Sequence, residues 1–271
     1  MIPIFIIVHD RVEFLKKAVE SYQEQIKTPI EIIFHDVAST YKPCLDYLEV
    51  MRGKGYLVYR SEINHHHTVL TSITDYLEKH PECNYYCVTD HDIELDNVNG
   101  DILDFYIHLL EMHGKNFVVG PMLRIDDIPD CYPKKEMVMH LHKKLGAWNA
   151  PILSTKWKGS DIKYVKYEID TTFQLAHRSN LTKFRRKGYR CLAPFSCRHL
   201  DWYVDPKKTT PDYDYYSENA TKISHWANPN WGNSKAVKTK VISRPREIRR
   251  TKPKLLVKKV IVPRHKKTIK L

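Results

Sequence analysis

Over its first ninety or so residues the chain alternates short apolar runs with amphipathic stretches, and few folds admit that alternation. Ile2 to Val8 is nearly all apolar and rich in Ile and Val, as suits a strand buried on both faces of a parallel sheet. Polar His9-Asp10-Arg11 ends it. Val12, Leu15, Val19 and Tyr22 then recur at helical spacing, with Glu13, Lys16, Lys17 and Glu20 on the other side. Thr28-Pro29 breaks the chain before a second apolar run over 30–34. The pattern continues with a helix over 43–52 stopped by Gly53 and Gly55, a strand over 56–59, a helix over 68–79 and a strand over 85–89. Four strands alternating with three helices predict a doubly wound α/β unit. In such sheets ligands bind beyond the carboxyl ends of the strands. Those ends carry His9-Asp10-Arg11, Asp36-Val37-Ala38-Ser39 and Asp90-His91-Asp92, all acidic. No GxGxxG or GxxxxGK[ST] loop follows any of these strands, so dinucleotide and P-loop chemistry lack their phosphate cradle.

Beyond this unit the pattern predicts a helix over 102–113 and a strand over 117–120. Residues 126–163 read as irregular, with several Pro and Trp, and a loop of that length in a compact domain suits binding or closure. The segment 164–176, a helix over 181–187 and the segment 189–193 complete the body, and 199–232 is aromatic and polar.

The net charge of +12 is localised: residues 235–271 hold 15 of the 44 Lys and Arg and one acid, Glu247. The other 234 residues carry 29 bases against 31 acids, a net of −2. The expected organisation is therefore a nearly neutral domain over 1–234 and a basic extension over 235–271. Like-charged blocks of this kind act as interaction arms or as solvated extensions with no specific partner; of an anionic membrane surface, nucleic acid and an acidic protein, the membrane surface is the preferred partner. A nucleic-acid-binding scaffold would extend its basic patch onto the body, so no stable nucleic-acid partner is expected. No apolar run approaches the roughly 18–20 residues of a membrane span. The N-terminus lacks the pattern of a signal peptide. A cytoplasmic protein, or one peripheral to the cytosolic membrane face, is the expectation. The six cysteines include no CxxC pair, which favours reduced thiols over a metal ribbon.

Asp90-His91-Asp92 carries the clearest chemistry. Two carboxylates in an i, i+2 relation at a strand end can converge on one divalent cation, and hard oxygen ligands suit Mg²⁺ or Mn²⁺. Such a cation bridges the two phosphates of a nucleotide and stabilises a departing diphosphate. A solvated acidic turn is the simpler account of a lone D-x-D. The apolar strand before it, and Asp36 at the end of a strand in the same predicted sheet, favour a site.

Pro3-Ile4-Phe5-Ile6-Ile7-Val8-His9-Asp10-Arg11, the turn at Asp36-Val37-Ala38-Ser39-Thr40, Asp90-His91-Asp92, Glu168-Ile169-Asp170 and His199, in that order along the chain, resemble one known family, the family 2-type, GT-A fold glycosyltransferases. Pro3-Ile4-Phe5-Ile6-Ile7-Val8-His9-Asp10-Arg11, with Leu15, Val19 and Ser21, looks like their opening strand and helix. Ile32-Ile33-Phe34-His35-Asp36-Val37-Ala38-Ser39-Thr40 resembles their second strand and D-x-x-S-T turn, and residues 85–92 resemble their D-x-D strand. Glu168-Ile169-Asp170, Arg178, Gly188-Tyr189-Arg190 and His199 are similar to the run that closes the catalytic domain. His199-Leu200-Asp201-Trp202-Tyr203 looks like a motif of a poorly characterised branch, some of it viral or from capsule loci. The resemblance spans about residues 2–204.

It implies a GT-A-like, Rossmann-like α/β fold: a mixed, mostly parallel sheet sandwiched by helices. It also implies a metal-dependent transfer of sugar from a nucleotide-sugar, a UDP-sugar first, to a hydroxyl of a glycan, lipid-linked or protein acceptor. By position, Asp36 would accept from uracil, His9, Asp10 and Arg11 would line base and ribose, and Ser39 would join the nucleotide site. Asp90 would touch ribose or the metal's water, Asp92 would bind Mn²⁺ or Mg²⁺, and His199 would add a metal or diphosphate contact. Asp170 would be the base of an inverting displacement, with Glu168 competing for that role. The chain departs from the family in having Asp10 for the usual Asn and Val37-Ala38 where the turn usually holds Gly.

Chemistry supports a base there independently. A carboxylate near a metal-neutralised diphosphate stays ionised at neutral pH. Capping of a helix over Thr171-Thr172 is the structural alternative for Asp170. A glycoside hydrolase would also use two carboxylates but needs no nucleotide pocket. A sugar-nucleotide nucleotidyltransferase shares the sheet and the carboxylate pair, but would want a glycine-rich basic loop where His9-Asp10-Arg11 stands. His65-His66-His67 reads as a solvated loop or cap, and Trp148, Trp157, Trp202 and Trp226 as core or lid packing, with one or two able to stack on a sugar.

Overall fold

In the computed structural model the N-terminal apolar run becomes β1 (Ile2–Val8), buried at all seven positions. It is hydrogen-bonded on both sides to parallel neighbours, β2 (Ile30–Val37) and β4 (Tyr85–Asp90). Alternate β1 side chains feed two cores. Ile4, Ile6 and Val8 pack with Leu15, Tyr22 and Leu109 on one face, whereas Phe5 and Ile7 pack with Ile73 and Tyr76 on the other. A strand with no solvent face must be apolar throughout, as this sequence is.

The structure describes residues 1–219, apart from 97, 99, 183 and 185, and residues 226–228. The basic extension over 235–271, with its expected membrane-surface partner, lies outside the described residues. Among the described residues no helix is long and apolar enough to cross a membrane. All six cysteines are unpaired, and five of them are buried.

The crossovers are α1 (Val12–Gln25), α2 (Lys42–Gly53) and α3 (Val69–Lys79), with β3 (Leu57–Ser61) beside β2. The chain continues through β5 (Ile93–Glu94), α4 (Ile102–His113), β6 (Val118–Pro121) and the short α5 (Lys135–Val138), which runs into a π-helical turn, Met139–Lys144. Then come β7 (Ile152–Trp157), β8 (Ser160–Lys166), β9 (Gln174–His177), β10 (Gly188–Cys191), β11 (Arg198–His199) and α6 (Pro211–Asn219). The nine-stranded sheet has the order β3-β2-β1-β4-β9-β6-β10-β8-β7, and β11 pairs with β5 apart from it. β9 runs against β4 and β6, and β8 against β10 and β7, while the other seven strands share one direction. The sheet is thus mixed and mostly parallel, as expected.

Register decides where the site forms. Ile7 pairs with both His35 and Asp90, and Val8 pairs with Asp36. The carboxyl ends of β1, β2 and β4 are therefore level, and their acidic loops share one edge.

Two expectations fail. Residues 126–163 are not irregular throughout: β7 and β8 form a hairpin turning at Lys158 and Gly159, both at positive φ. β7 is largely exposed on both faces, so no apolar alternation marks it. Residues 181–187 are not a helix among the described residues. Arg186 instead exchanges two backbone hydrogen bonds with Ile169, at 2.9 and 3.0 Å, and those bonds take the groups a helix would need.

Candidate active site

The loops after β1 and β2 interlock. Asp10 N donates to Ser39 Oγ at 3.0 Å, and Asp10 Oδ1 accepts from the backbone of Thr40 and Tyr41 at 2.6 and 2.8 Å. Asp36 accepts from Ser39 N at 2.9 Å through Oδ1 and from Arg60 Nη1 at 2.5 Å through Oδ2. Asp36 is 1% exposed. Three of the side chains expected at the nucleotide are thus brought together, Asp10 and Ser39 bonded between the two loops and Asp36 bonded to its own loop and to Arg60 of β3. Asp10 and Ala38 both adopt left-handed backbone, φ 60° and 58°. Asn, Asp and Gly enter this region at lower cost than other residues. Asp10 is held there by its hydrogen bonds, while Ala38 carries the steric cost of its Cβ.

Arg11 lies at the centre of the neighbouring cluster. Its Nη2 donates to Asp92 Oδ2 at 2.6 Å, its Nη1 to Asp201 Oδ1 at 2.7 Å and its Nε to His91 Nε2 at 3.0 Å. The guanidinium also lies 4.3 Å from the centroid of the Tyr216 ring. Burial opposes its charge, but Asp201, Tyr216 and Asp92 hold its pKa well above the ordinary value. His91 Nδ1 donates to Ile7 O at 2.8 Å, so Nε2 is the bare nitrogen that accepts from Arg11. Burial, reinforced by the adjacent guanidinium, lowers the His91 pKa to about 3 and keeps the ring neutral.

Asp92, His199 and Asp201 each offer one ligand atom, and these atoms lie within 4.8 Å of one another. Asp92 is 4% exposed, and its Oδ1 is buried without a hydrogen-bond partner, as is His199 Nδ1. Burial penalises the Asp92 charge, yet His199 and Arg11 hold its pKa well below the usual range. An ionised carboxylate with an orphaned buried oxygen, beside an imidazole and a second carboxylate, fits a divalent cation. His199 comes from β11 and Asp201 from the 3-10 turn Leu200–Tyr203, which starts where Leu200 N donates to Asp92 O at 2.8 Å.

Asp90 is arranged differently. Thr171 Oγ1 donates to its Oδ2 at 2.5 Å, and burial together with Asp92 raises its pKa well above the usual range. Because β9 runs against β4, the residues entering β9 stand beside the end of β4, and Asp170 faces the same cleft. The Asp170 side chain is 53% exposed, with Arg190 Nη2 3.6 Å away. Thr172 Oγ1 donates to its Oδ1. Partial burial works against its charge, but Arg190, Thr172 and His199 lower its pKa below the ordinary value.

These groups line a cleft of about 520 Å³, walled also by His9, Asn64, His66, Phe184 and Trp226. His9 Nε2 hydrogen-bonds the Asn64 amide at 2.8 Å. Asp170 also lines a second cleft of about 330 Å³, with Met122, His142, Tyr167, Glu168 and Arg190. There the Arg190 guanidinium is engaged by the Glu168 and Pro121 carbonyls at 3.0 and 3.2 Å.

Of the residues singled out from sequence, His9, Arg11, Asp90, Asp92, Asp170 and His199 line the first cleft, and Glu168 and Asp170 the second. Asp10, Asp36 and Ser39 line neither. Sequence reasoning passed over Asp201 as a cleft group, although it lies inside the His199–Tyr203 motif. Asn64 and Thr171 were passed over as well. His66, read as loop or cap, is a cleft wall.

No protein-family model matches the chain, and no curated protein sequence matches it. Solved structures are similar in chain path. A TarS fragment from S. aureus, in complex with UDP-GlcNAc, matches at 16% identity and TM-score 0.34, over 48% of this chain and 37% of that one. A mannosyltransferase from Pyrobaculum calidifontis, in complex with GDP-Man and Mn²⁺, matches at 14% identity and TM-score 0.42, over 90% and 76%. Glucosyl-3-phosphoglycerate synthase from Mycobacterium tuberculosis, with Mn²⁺, UDP and glucosyl-3-phosphoglycerate, matches at 12% identity and TM-score 0.36, over 66% and 57%. The chain therefore corresponds to under two fifths of the TarS fragment.

Proposed function

We propose that this chain is a metal-dependent glycosyltransferase that moves a sugar from a nucleotide-sugar, a UDP-sugar first, to a hydroxyl of a glycan, lipid-linked or protein acceptor. One observation carries the reading. A trio fit for a divalent cation, its two carboxylates buried, and a half-exposed, ionised Asp170 line the same cleft, and of the acids lining that cleft Asp170 alone also opens into the second.

Asp92, His199 and Asp201 would hold Mn²⁺ or Mg²⁺, which when bound supplies Lewis-acid stabilisation of the diphosphate that leaves. His9, Asn64 and Asp90 are the polar groups available to base and ribose in the first cleft. The acceptor enters through the second cleft. Its hydroxyl oxygen forms the new bond to the anomeric carbon as the bond from that carbon to the diphosphate oxygen breaks. The hydroxyl proton passes to Asp170, whose lowered pKa keeps it ionised and ready to accept. Attack from the side opposite the leaving group inverts the anomeric centre. Such a base contributes about 10²–10⁴-fold in rate.

Thermal unfolding with UDP, GDP, ADP and CMP, each with and without Mn²⁺, tests the reading. A nucleotide at about 100 times its dissociation constant stabilises by about 2.7 kcal/mol. For a chain of this size the shift is on the order of 5–10 °C. The expected result is a UDP shift that requires Mn²⁺ and is lost in Asp92→Asn. Absence of a shift with every nucleotide would end the glycosyltransferase reading.

A further inference from the structure

Arg11 stands inside the group of residues that would take the cation, which is an unusual place for a fixed positive charge. Its guanidinium holds one oxygen of Asp92 and one of Asp201, at 2.6 and 2.7 Å, and all three side chains are at most 6% exposed. A purely structural ion pair at this depth needs its remaining oxygens satisfied, because buried polar atoms without partners are costly. Asp92 Oδ1 is buried and bare. Asp201 Oδ2 lies 3.9 Å from His199 Nδ1, itself buried and without a hydrogen bond. The hydrogen bonding of the cluster is half-finished.

Its charge is also half-spent. Asp92 and Asp201 bring two negative charges, and Arg11 cancels one of them. Affinity for a divalent cation follows the charge of the ligands. A dication entering here would also lie close to a buried guanidinium, where like charges repel more strongly than in water. A nucleoside diphosphate brings the missing negative charge.

We propose that Arg11 makes cation binding at Asp92, His199 and Asp201 conditional on a bound diphosphate, so that the metal binds weakly alone and tightly with the nucleotide. This rests on the donor-site reading above. It assigns Arg11 as a positioning and charge-setting residue rather than a liner of base and ribose. Coupling is reciprocal, so Mn²⁺ must tighten the nucleotide by the factor with which the nucleotide tightens Mn²⁺.

The test titrates Mn²⁺ into the intact chain, follows free Mn²⁺ by electron paramagnetic resonance with and without UDP, and subtracts Mn²⁺–UDP complexes measured without protein. UDP should tighten Mn²⁺ on the order of tenfold or more in the native chain, within the usual range of coupling between sites. Arg11→Gln should bind Mn²⁺ more tightly than the native chain when UDP is absent, and UDP should then add less than it does in the native chain. A merely structural Arg11 moves the affinity the other way, because its loss would loosen both carboxylates. Arg11→Lys keeps the charge and should keep the UDP dependence, so it carries the test if Arg11→Gln does not fold. Equal Mn²⁺ affinity with and without UDP in the native chain, or weaker Mn²⁺ binding by folded Arg11→Gln, would overturn the proposal. UDP affinity that is the same with and without Mn²⁺ would overturn it too. A chain that binds neither UDP nor Mn²⁺ would instead remove the glycosyltransferase reading itself.

Discussion

Thr171 Oγ1 donates to Asp90 Oδ2 at 2.5 Å, and Asp90 N donates back to Thr171 O at 2.8 Å. This reciprocal pair ties the last residue of β4 to the segment entering β9, and so sets the D-x-D end of the sheet against Asp170. In Thr171→Val the Asp90 carboxyl loses its hydroxyl partner in a buried setting. Stability to urea should fall by about 1–3 kcal/mol. If Thr171 were only a spacer, the near-isosteric Val would leave stability unchanged.

Asp170 and Glu168 both line the second cleft, but only Asp170 also lines the first. Asp170→Asn should lower the transfer rate by about 10²–10⁴-fold, while the Mn²⁺-dependent UDP shift in unfolding temperature persists. Glu168→Gln should leave the rate within a few-fold. The opposite pattern would assign the base to Glu168.

Ala38 is a left-handed residue, φ 58°, that is not glycine. Ala38→Gly removes the Cβ clash, about 1–2 kcal/mol, at the expense of a more flexible unfolded chain. A net gain of up to about 1 kcal/mol in chemical denaturation is expected. A loss would mean that the neighbouring loop contacts already relieve the strain.

His35 is buried at 3% exposure, between Ser72 Oγ and Thr68 Oγ1, each 2.8 Å away. Thr68 donates its own hydrogen to His65 O, so it accepts from His35 Nε2, and Ser72 donates to Nδ1. Burial lowers the His35 pKa to about 4. The unfolded chain therefore takes up a proton between about pH 6.5 and 4 that the native chain refuses, and stability falls as pH falls through that window. Its full extent is about 3 kcal/mol. Denaturation measured at pH 7 and at pH 4.5 should show a smaller loss in His35→Gln than in the native chain. Equal losses would place the acid sensitivity elsewhere.

Much of this was legible in the chain. The run from Ile2 to Val8 has no polar residue to offer solvent, so a central strand was forced, and its parallel neighbours followed from the amphipathic stretches between. The acidic strand ends at Asp36, Asp90 and Asp92 were visible for the same reason. The β7–β8 hairpin was not, because a strand exposed on both faces leaves no apolar alternation to read. Nor was the extended path through Arg186, whose backbone pairs with Ile169 and whose guanidinium donates to Tyr86 Oη at 2.9 Å.

By itself the sequence determined the alternation of strand and helix, the buried central strand and the acidity of one sheet edge, because these depend on periodicity and residue type within a few positions. Tertiary structure alone decided which donors each acid meets. Asp10 and Asp36 look like ligand groups in the sequence, but Asp10 accepts from Thr40 and Tyr41 in the neighbouring loop and Asp36 from Ser39 and Arg60. Arg11 looks like a loop residue and sits between Asp92 and Asp201, the latter 190 positions away. The physical reason is that a carboxylate's role depends on which donor reaches it first, and those donors arrive from strands and turns that only the folded sheet brings together.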